Sequence, residues 1–390
     1  MNNVSPRSIY IHIPFCSHKC HYCDFTAYVV GGQPVDEYLD ALEREMAWTV
    51  AEIPPEEIET IFIGGGTPTV LDVKQMERLL TAIRRYFPFW SDEIEYTIEA
   101  NPGTTEKEKL EVMLAGGINR ISFGAQTFRP DLLANIGRVH SVSDIGRSVE
   151  TARAVGIHNI SLDLMFGLPK QTVADMEEAI REGVALAPEH FSVYSLKVEE
   201  GTVFHAKLLQ GKLPLPSEED ELMMYQLTRE RLQAAGYSQY EISNFARPGK
   251  ESKHNSTYWK NNPYYGLGAG AHGYARGVRH VNVKGVGEYI RRCEKGRPIA
   301  ETLDVTRMEA MENEMILGLR LEEGVHEGRF RERFDVALAV VFGDVLATLE
   351  KKDLLQKEMG RWSLTEKGLL FGNDVFSAFL GEGVDHVVGR

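Results

Sequence analysis

Short apolar, β-rich runs alternate with helical stretches along the first 235 residues of the chain. The runs predict strands at residues 8–13, 58–63, 95–100, 119–124, 158–164 and 190–196. Helices are predicted at 35–53, 73–86, from about 105, from about 143, from 172 and at 217–235. Strands that alternate with helices pair in parallel through right-handed crossovers, so the pattern predicts an α/β fold. Because there are six units rather than eight, we expect an incomplete (β/α)6 barrel instead of a closed one.

The ends of several predicted helices carry signals of their own. A glycine that follows a helix and precedes a strand is typical of a left-handed C-terminal cap. Such glycines are Gly117, Gly156 and Gly236. Two Thr-x-x-acid pairs, Thr105 with Glu108 and Thr172 with Asp175, have the spacing of a capping box. We therefore expect a helix to begin at each of these threonines.

The pattern changes after residue 300. Helices are predicted at 306–319, 328–334, 337–351 and 365–379, with a short hairpin formed by 354–355 and 361–364. We divide the chain into a barrel at 1–240, a segment at 241–300 that joins the barrel, and a mostly helical, winged-helix-like domain at 301–390. This last domain has no basic recognition face, so we expect a lid or partner-docking role and no nucleic acid. The tail from residue 381 is expected to be loose.

A loop after the first predicted strand holds three of the four cysteines, at Cys16, Cys20 and Cys23. Thiolates gathered in one loop are typical ligands of an iron–sulfur cluster, and three of them leave one iron open to another ligand. A disulfide is less favoured, because three cysteines cannot all form disulfides with one another. Structural zinc usually takes four protein ligands, and the paired Cys-x2-Cys spacing is absent. Chance and a zinc site remain open, the latter completed by His12, His18 or His21.

Polar or small residues stand where the later strands end. In open and closed α/β barrels alike, ligands gather at the carboxyl edge of the strands. The residues expected at this edge are Gly64–Gly65–Gly66–Thr67, Glu99, Gln126 and Asp163, with Arg138 farther along the chain. Each has an ordinary structural reading, as a glycine turn, a solvated carboxylate or a surface ion pair. Their common position nevertheless favours a ligand site.

The charge of the chain and its N-terminal sequence exclude some classes of function. The chain has 43 basic and 57 acidic residues and a net charge of −14, which disfavours a broad surface that follows nucleic-acid phosphates. Residues 247–300 differ, with eleven basic and three acidic side chains. Such a basic segment is either a solvated face or a receiver for an anionic ligand. The N-terminal residues lack the apolar centre of a signal peptide, so we expect a cytoplasmic protein.

The cysteine loop, the glycine turn and the strand-edge residues together resemble the radical S-adenosylmethionine (SAM) superfamily. Within it, three stretches are similar to the oxygen-independent coproporphyrinogen III dehydrogenase group. They are Tyr-x-His-Ile-Pro-Phe-Cys from Tyr10, Gly-Gly-Gly-Thr-Pro-Thr from Gly64, and Asp-Leu-Met-Phe-Gly-Leu-Pro-Lys-Gln-Thr from Asp163. The similarity is close from residue 8 to about residue 200 and looser beyond.

This resemblance implies a set of cofactors and contacts. A [4Fe-4S] cluster would be bound by Cys16, Cys20 and Cys23, with S-adenosyl-L-methionine on its open iron. Tyr10 and Tyr22 would flank that cofactor. Its amino-acid end, or that of a second molecule, would meet Gly65, Gly66 and Thr67. Further cofactor contacts are implied at Glu99, Gln126, Arg138 and Asp163.

Two departures from the dehydrogenase pattern change the expected function. The dehydrogenase has another cysteine two residues after the third, where this chain has Phe25, and it has an N-terminal extension, whereas this chain enters its first strand at residue 8. Phe25 and the His-Asn-x-x-Tyr-Trp run from His254 to Trp259 are instead similar to a paralogous family of haem chaperones. That family links the run to haem binding and passes haem to haem-requiring respiratory or membrane proteins.

The haem-chaperone resemblance implies that haem is the cargo. His254 would offer an axial nitrogen to the iron, while Tyr258 and Trp259 would offer flat apolar surface. His272 and His280 are alternative ligands, although a histidine beside aromatic residues is often simply packed or hydrogen-bonded. Cations that would meet the haem propionates are Arg276, Arg279 and Lys284. The expected partners are haem-accepting proteins, with any peripheral membrane contact made through them, and the chain would be a monomer or a homodimer.

The sequence leaves two other functions open. The haem chaperone is favoured over a catalyst. A radical SAM enzyme acting on a tetrapyrrole, such as an oxygen-independent coproporphyrinogen III dehydrogenase, is the alternative. A non-catalytic iron–sulfur or zinc-binding module is the third reading.

Overall fold

A computed structural model describes residues 5–381. Its strands are β1 (Ser8–Ile13), β2 (Phe15–Cys16), β3 (Tyr28–Val29), β4 (Ile58–Gly65), β5 (Trp90–Ala100), β6 (Arg120–Gln126), β7 (Asn159–Phe166), β8 (His190–Ser195), β9 (Ser238–Glu241), β10 (Asn244–Ala246), β11 (Tyr265–Leu267), β12 (His272–Ala275), β13 (Val278–Asn282), β14 (Ile299–Asp304), β15 (Val325–His326), β16 (Leu355–Glu358) and β17 (Arg361–Leu364). Its helices are α1 (Val35–Glu52), α2 (Val73–Tyr86), α3 (Lys107–Ala115), α4 (Pro130–Asn135), α5 (Val142–Val155), α6 (Val173–Ala185), α7 (Val203–Leu209), α8 (Glu218–Ala234), α9 (Lys253–Trp259), α10 (Val286–Cys293), α11 (Arg307–Gly318), α12 (Glu327–Phe334), α13 (Leu338–Lys351), α14 (Glu366–Leu370) and α15 (Gly372–Ser377).

The main sheet has the strand order β11-β1-β4-β5-β6-β7-β8-β10-β9. Its first seven strands run parallel, and β10 and β9 continue it in antiparallel pairing. All six predicted strands are present as β1, β4, β5, β6, β7 and β8. No pairing between β11 and β9 closes the sheet within residues 5–381. The predicted incomplete barrel is therefore confirmed.

Buried strands and the apolar faces of helices build the barrel core. Strands β6 and β7 are almost fully buried because helices cover the outside of a parallel sheet. The predicted left-handed glycine caps are confirmed by positive φ angles of 101° at Gly117, 113° at Gly156 and 86° at Gly236. The capping box of Thr172 and Asp175 is also present at the start of α6.

The second predicted capping box is wrong. Helix α3 begins at Lys107, and its N-cap residue Glu106 makes no side-chain cap hydrogen bond. Thr105 is buried one residue farther back, and its hydroxyl has no partner among the described residues. The spacing matched the motif, but the backbone enters the helix two residues after the threonine.

Residues 241–300 attach to the barrel through two elements. Strand β11 pairs in parallel with β1, so the segment extends the main sheet beyond its first strand. Strands β12 and β13 form an antiparallel sheet with β14, and α10 packs near α1. This arrangement brings the start of β12 toward the end of the barrel where the cysteine loop lies.

A second apolar core forms from helices α11 to α15 and the small sheet β15-β17-β16. The hairpin predicted at 354–355 and 361–364 is β16 paired with β17. The single helix predicted at 365–379 is wrong, because the chain leaves helical geometry at Phe371 (φ −112°, ψ 29°) between α14 and α15. Gly372 follows, and glycine has a low helix propensity. The expectation for the tail after residue 381 lies outside the described residues.

Within the part of the chain that the structure describes, no helix is both long enough and apolar enough to cross a membrane.

Candidate functional site

The cysteine loop leaves the carboxyl end of β1 and returns through β3. Cys16 is buried and Cys20 and Cys23 are partly buried, and all three thiols are free. The hydroxyl of Thr67 donates to Cys16 Sγ over 3.6 Å, and Arg138 Nη1 donates to Cys20 Sγ over 3.6 Å. Two donors therefore already point at sulfurs, as the thiolate ligands of an iron–sulfur cluster need.

The donor set fits such a cluster better than a single metal ion. Among residues 5–381, no group of three or more His, Cys, Asp or Glu side chains is gathered closely enough to hold one ion. A zinc ion needs its ligands within about 2.3 Å of one point, whereas the sulfurs of a cluster surround a larger body. Two of the three histidines proposed to complete a zinc site are also engaged elsewhere, since His12 contacts Tyr10 and His21 contacts the carbonyl of Asn135.

Arg138 connects the cysteine loop to the strand ends. Its Nη1 donates to Asn101 Oδ1 over 2.8 Å, and its Nη2 donates to the Gly124 carbonyl over 2.6 Å. Asn101 in turn donates to Thr67 Oγ1 over 3.0 Å. The Nε of Arg138 is buried and has no partner in the described residues, so the guanidinium keeps a donor for a ligand. Sequence reasoning missed Asn101, whose only signal was its place directly after the strand that carries Glu99.

Two carboxyl groups, Glu99 on β5 and Asp163 on β7, lie on either side of β6 in the sheet. Glu99 Oε2 accepts from the Gly65 backbone over 3.0 Å. Burial, and then the nearby Asp163, raise the pKa of Glu99 to about 7. Burial also raises the pKa of Asp163, although its hydrogen bond from Ser122 (2.9 Å) opposes the rise. The buried Arg120 lowers the pKa of both carboxyl groups without forming an ion pair within 4 Å.

Gln126 and Tyr22 lie at the same end of the barrel. Gln126 is buried and has a positive φ of 64°, which is uncommon outside glycine and typical of functional sites. Tyr22 packs against the apolar cluster formed by Leu132, Ile136 and Phe204. Burial raises the pKa of Tyr22, which keeps its hydroxyl protonated. The cofactor contacts expected at Gln126 and Tyr22 stay predictions.

The glycine turn at the end of β4 packs tightly against the cysteine loop. The backbone of Gly66 donates to Ile13 and that of Thr67 donates to Phe15, at 2.9 and 2.7 Å. A Cβ at Gly66 would lie 2.5 Å from the carbonyl oxygen of Phe15. These two N–H groups are therefore occupied, and of the turn residues only Gly65 lines the cavity described next.

A cavity of about 360 Å³ opens at this end of the barrel. Its walls combine aromatic rings with polar and charged groups from the first strands, the cysteine loop and residues 258–284. The lining residues are Tyr10, His12, Asp24, Phe25, Thr26, Gly65, Glu99, Tyr258, Tyr264, Gly270, His272 and Lys284. Phe25 lies at its rim and is 62% exposed.

Helix α9 carries the His-Asn-x-x-Tyr-Trp run and is attached to the barrel by Glu95. One carboxylate oxygen of Glu95 accepts from Ser252 Oγ (3.1 Å) and the His254 backbone (3.0 Å). The other accepts from the Lys253 backbone over 2.9 Å. Glu95 is buried and was not singled out from the sequence, because a charge inside a predicted strand gives no sign of the helix it caps.

The structure does not present His254 as an axial ligand. The side chain is 1% exposed, its Nδ1 contacts Thr60 Oγ1 at 2.8 Å, and its Nε2 contacts the Tyr258 hydroxyl at 2.7 Å. The ring also stacks on Phe62, with 5.1 Å between centroids. Burial, and then the positive charge of Arg120, lower the pKa of His254 to about 3. His254 is a neutral, satisfied interior histidine in this structure.

The two aromatic residues of the run lie in different places, Tyr258 at the cavity and Trp259 away from it. Tyr258 lines the cavity and packs edge-on against Tyr264 at 4.7 Å. Trp259 lies outside the cavity lining, and the guanidinium of Arg320 stands 4.4 Å from the centre of its ring. The expectation that Trp259 offers a face to porphyrin is therefore not met, because the next residue along a helix points to a different side.

The histidines and cations of the basic segment also differ in whether they line the cavity. Lys284 and His272 are exposed and line the cavity. Arg279 instead stands over the ring of Tyr274, and neither it nor Arg276 lines the cavity. His280 is buried, with its Nε2 near Arg297 and the Gly266 carbonyl. Of the cations expected to meet propionates, only Lys284 is at the cavity.

Comparison with known proteins finds relatives along most of the chain. A model of the radical SAM superfamily matches residues 10–183, and a model of the HemN C-terminal domain matches residues 305–371. The chain is 51% identical to the haem chaperone HemW of Bacillus subtilis over 96% of its own length and 100% of that relative. It is 34% identical to HemW of Escherichia coli over 98% of its length and 100% of that relative.

Among solved structures, the chain is similar to coproporphyrinogen III oxidase (HemN) from Escherichia coli, a radical SAM enzyme. The TM-score is 0.84 at 27% sequence identity, and the likeness covers 96% of this chain and 90% of that one. A partial radical SAM barrel with an additional C-terminal domain is thus shared with that enzyme.

Proposed function

The chain belongs to the HemW family of haem chaperones in the radical SAM superfamily, and on this premise we propose that it binds haem at the mouth of its barrel and delivers it to haem-requiring proteins. The observation that carries the proposal is the cavity beside the cysteine loop. It places four aromatic side chains beside an exposed cation, a combination that suits a planar, anionic macrocycle.

The cavity residues have separate parts in holding the cargo. Tyr10, Phe25, Tyr258 and Tyr264 offer ring surface to the porphyrin, and the Lys284 ammonium offers a partner to a propionate. The cavity is smaller than a whole haem and open on one side, so it grips part of the macrocycle. Partial enclosure suits a carrier, because a fully buried ligand would be released slowly.

We also propose that the chain binds a [4Fe-4S] cluster and S-adenosyl-L-methionine. Cys16, Cys20 and Cys23 would hold the cluster. The cofactor contacts would be Tyr10, Tyr22, Gly65, Gly66, Thr67, Glu99, Gln126, Arg138 and Asp163. When bound, these groups supply one-electron chemistry, and the protein supplies position and charge. Arg138 contributes a fixed positive charge and hydrogen-bond donors, while Asn101 keeps its guanidinium aimed toward the cysteine loop.

A radical SAM enzyme acting on a tetrapyrrole is the second candidate. The likeness to coproporphyrinogen III oxidase, with a TM-score of 0.84, favours it. Against it stands Phe25, which occupies the position where the dehydrogenase pattern has a cysteine and faces the cavity instead. The chaperone therefore remains the first choice.

One experiment addresses both candidates. The protein, with its cluster reconstituted under anaerobic conditions, is titrated with haem and followed by absorbance, while 5′-deoxyadenosine is measured in the same tubes. The chaperone account expects saturable binding of about one haem per chain that survives desalting. Absence of haem binding would contradict it. Parallel tubes receive reduced protein, S-adenosyl-L-methionine and coproporphyrinogen III in place of haem, and decarboxylation there with 5′-deoxyadenosine release would establish the enzyme instead.

The remaining expectations also belong to this proposal. The free thiols suit a reducing compartment, so we place the protein in the cytoplasm. Its partners would be haem-accepting proteins of respiration or other pathways, and it would act as a monomer or a homodimer without nucleic acid.

A further inference from the structure

If the proposed function holds, the haem iron needs a ligand from the protein, and histidine is the usual one. A histidine can ligate only if it reaches the cavity and has a ring nitrogen free of other partners. Four histidines are close enough to the cavity or the haem-linked run to be considered: His12, His254, His272 and His280. Their hydrogen bonds and exposure distinguish them.

His12 lines the cavity but both of its ring nitrogens are engaged. Nδ1 contacts the Tyr10 hydroxyl at 2.9 Å, and Nε2 contacts the Thr26 carbonyl at 2.8 Å. The side chain is 6% exposed. Ligation by His12 would break the contact between β1 and Thr26 at the end of the cysteine loop.

His254 and His280 are enclosed. Both nitrogens of His254 have partners, as described above, and the residue does not line the cavity. His280 Nε2 lies 3.1 Å from Arg297 Nη2 and 3.3 Å from the Gly266 carbonyl. A Cβ at Gly273 would lie 2.1 Å from the His280 ring, which shows how closely the neighbouring strand covers it.

His272 differs on each count. It is exposed, it lines the cavity together with Phe25, Tyr258 and Lys284, and neither ring nitrogen has a hydrogen-bond partner within residues 5–381. Although part of the side chain faces solvent, the protein atoms around it, and then the charges of Lys284 and Arg279, lower the pKa of His272. A ring nitrogen that reaches the cavity and has no other partner is what iron ligation needs.

The backbone that carries His272 is held in place by a buried carboxylate. Glu45 on α1 accepts from the Gly268 backbone over 2.8 Å and from Asn282 Nδ2 over 2.6 Å, and it is fully buried. A Cβ at Gly270 would lie 2.8 Å from Thr26, so the loop before His272 packs directly on the end of the cysteine loop. A ligand mounted on a fixed backbone loses little freedom when it binds.

We propose that His272 is the axial ligand that this chain offers to haem iron, with Phe25 and Tyr258 beside the porphyrin and Lys284 at a propionate. His254 then acts as a positioning residue, since its Nε2 contacts the hydroxyl of Tyr258 and so fixes that ring at the cavity. The inference gives the haem-linked run a role through Tyr258 and assigns the iron to a residue outside the run.

The test compares haem titrations of the cluster-reconstituted wild type, His272→Ala, His272→Gly and His158→Ala. His158 is exposed and lies outside the cavity, so its variant is the matched control. The His272 variants are expected to bind haem at least about tenfold more weakly and to lose the absorbance and magnetic circular dichroism bands of a histidine-ligated haem. Added imidazole is expected to restore those bands in His272→Gly.

The outcomes separate this inference from the proposed function. Failure of the wild type to bind haem contradicts the proposed function itself. Haem binding with the same affinity and the same histidine bands in wild type and both His272 variants overturns the His272 assignment while leaving the chaperone intact. Far-ultraviolet circular dichroism and cluster absorbance confirm that each variant is folded, and the imidazole rescue gives a positive readout that a misfolded variant could not show.

Discussion

Replacing Glu95 with alanine is expected to release the start of α9 from the barrel. This buried carboxylate accepts three hydrogen bonds, from the hydroxyl of Ser252 and from the backbones of Lys253 and His254. Lys253 Nζ also reaches β5, where it donates to the Glu93 carbonyl over 2.8 Å, but it satisfies none of those three donors. Loss of Glu95 therefore leaves three donors to be satisfied by whatever water can enter.

The size of the effect follows from those three bonds. Hydrogen bonds to a charged acceptor contribute about 1.5–3 kcal/mol each, but the contributions are not additive, and the exposed Lys253 can bind water instead. We expect local opening of α9 to become easier by roughly 3 kcal/mol. At about 1.4 kcal/mol for each factor of ten, amide exchange in 252–259 should accelerate on the order of 100-fold.

Hydrogen–deuterium exchange measured by mass spectrometry tests this directly. The matched control is Glu93→Ala on the same strand, because Glu93 is 88% exposed in its side chain and pairs only with the Lys253 ammonium at 3.5 Å. That variant should change exchange in 252–259 by less than about threefold, as expected for a surface ion pair. Unchanged exchange in Glu95→Ala, or equal acceleration in both variants, would refute the capping role.

Three further predictions concern the site. Burial raises the pKa of Glu99 to about 7 in the folded chain, above its ordinary 4.5, so the folded protein holds a proton that the unfolded chain has lost. Stability of the cofactor-free protein should therefore fall as pH rises from about 4.5 to about 7, and Glu99→Gln should flatten that fall in urea-unfolding midpoints. Arg138→Lys keeps the positive charge but loses the two guanidinium nitrogens that donate to Asn101 and to the Gly124 carbonyl. Iron and sulfide should therefore be lost faster from this variant when a chelator is added. Gly66→Ala forces a Cβ to 2.5 Å from a backbone oxygen and should lower stability by about 1–3 kcal/mol in urea unfolding. Gly146→Ala, in a helix with its nearest atom at 3.8 Å, should be neutral or stabilising by up to about 1 kcal/mol.

Periodicity and local signals were enough to predict the barrel. Parallel strands covered by helices need apolar runs of fixed length, and the alternation of such runs with helices specifies the topology. The glycine caps were equally readable, since a left-handed backbone at Gly156 strongly favours that residue type. The capping box predicted at Thr105 was wrong because residue spacing alone does not show where the backbone becomes helical.

The site was only partly predictable, for a physical reason. The cysteines and strand-edge groups stand at positions that the fold itself brings together. Asn101 and Glu95 act through contacts with residues 37 and 159 positions away along the chain, which no local pattern encodes. The burial of His254 was equally unpredictable. The motif marks it as a ligand but gives no sign that Thr60 and Tyr258 occupy both of its ring nitrogens.

The central claim is that haem binds in the cavity beside the cysteine loop, and an iron anomalous-difference map from crystals grown with haem tests it most directly. The account predicts two iron sites. One lies among Cys16, Cys20 and Cys23, and the other lies in the cavity between Phe25 and Tyr258 with His272 as its ligand. Haem iron found outside that cavity, with the cavity itself empty of it, would contradict the account.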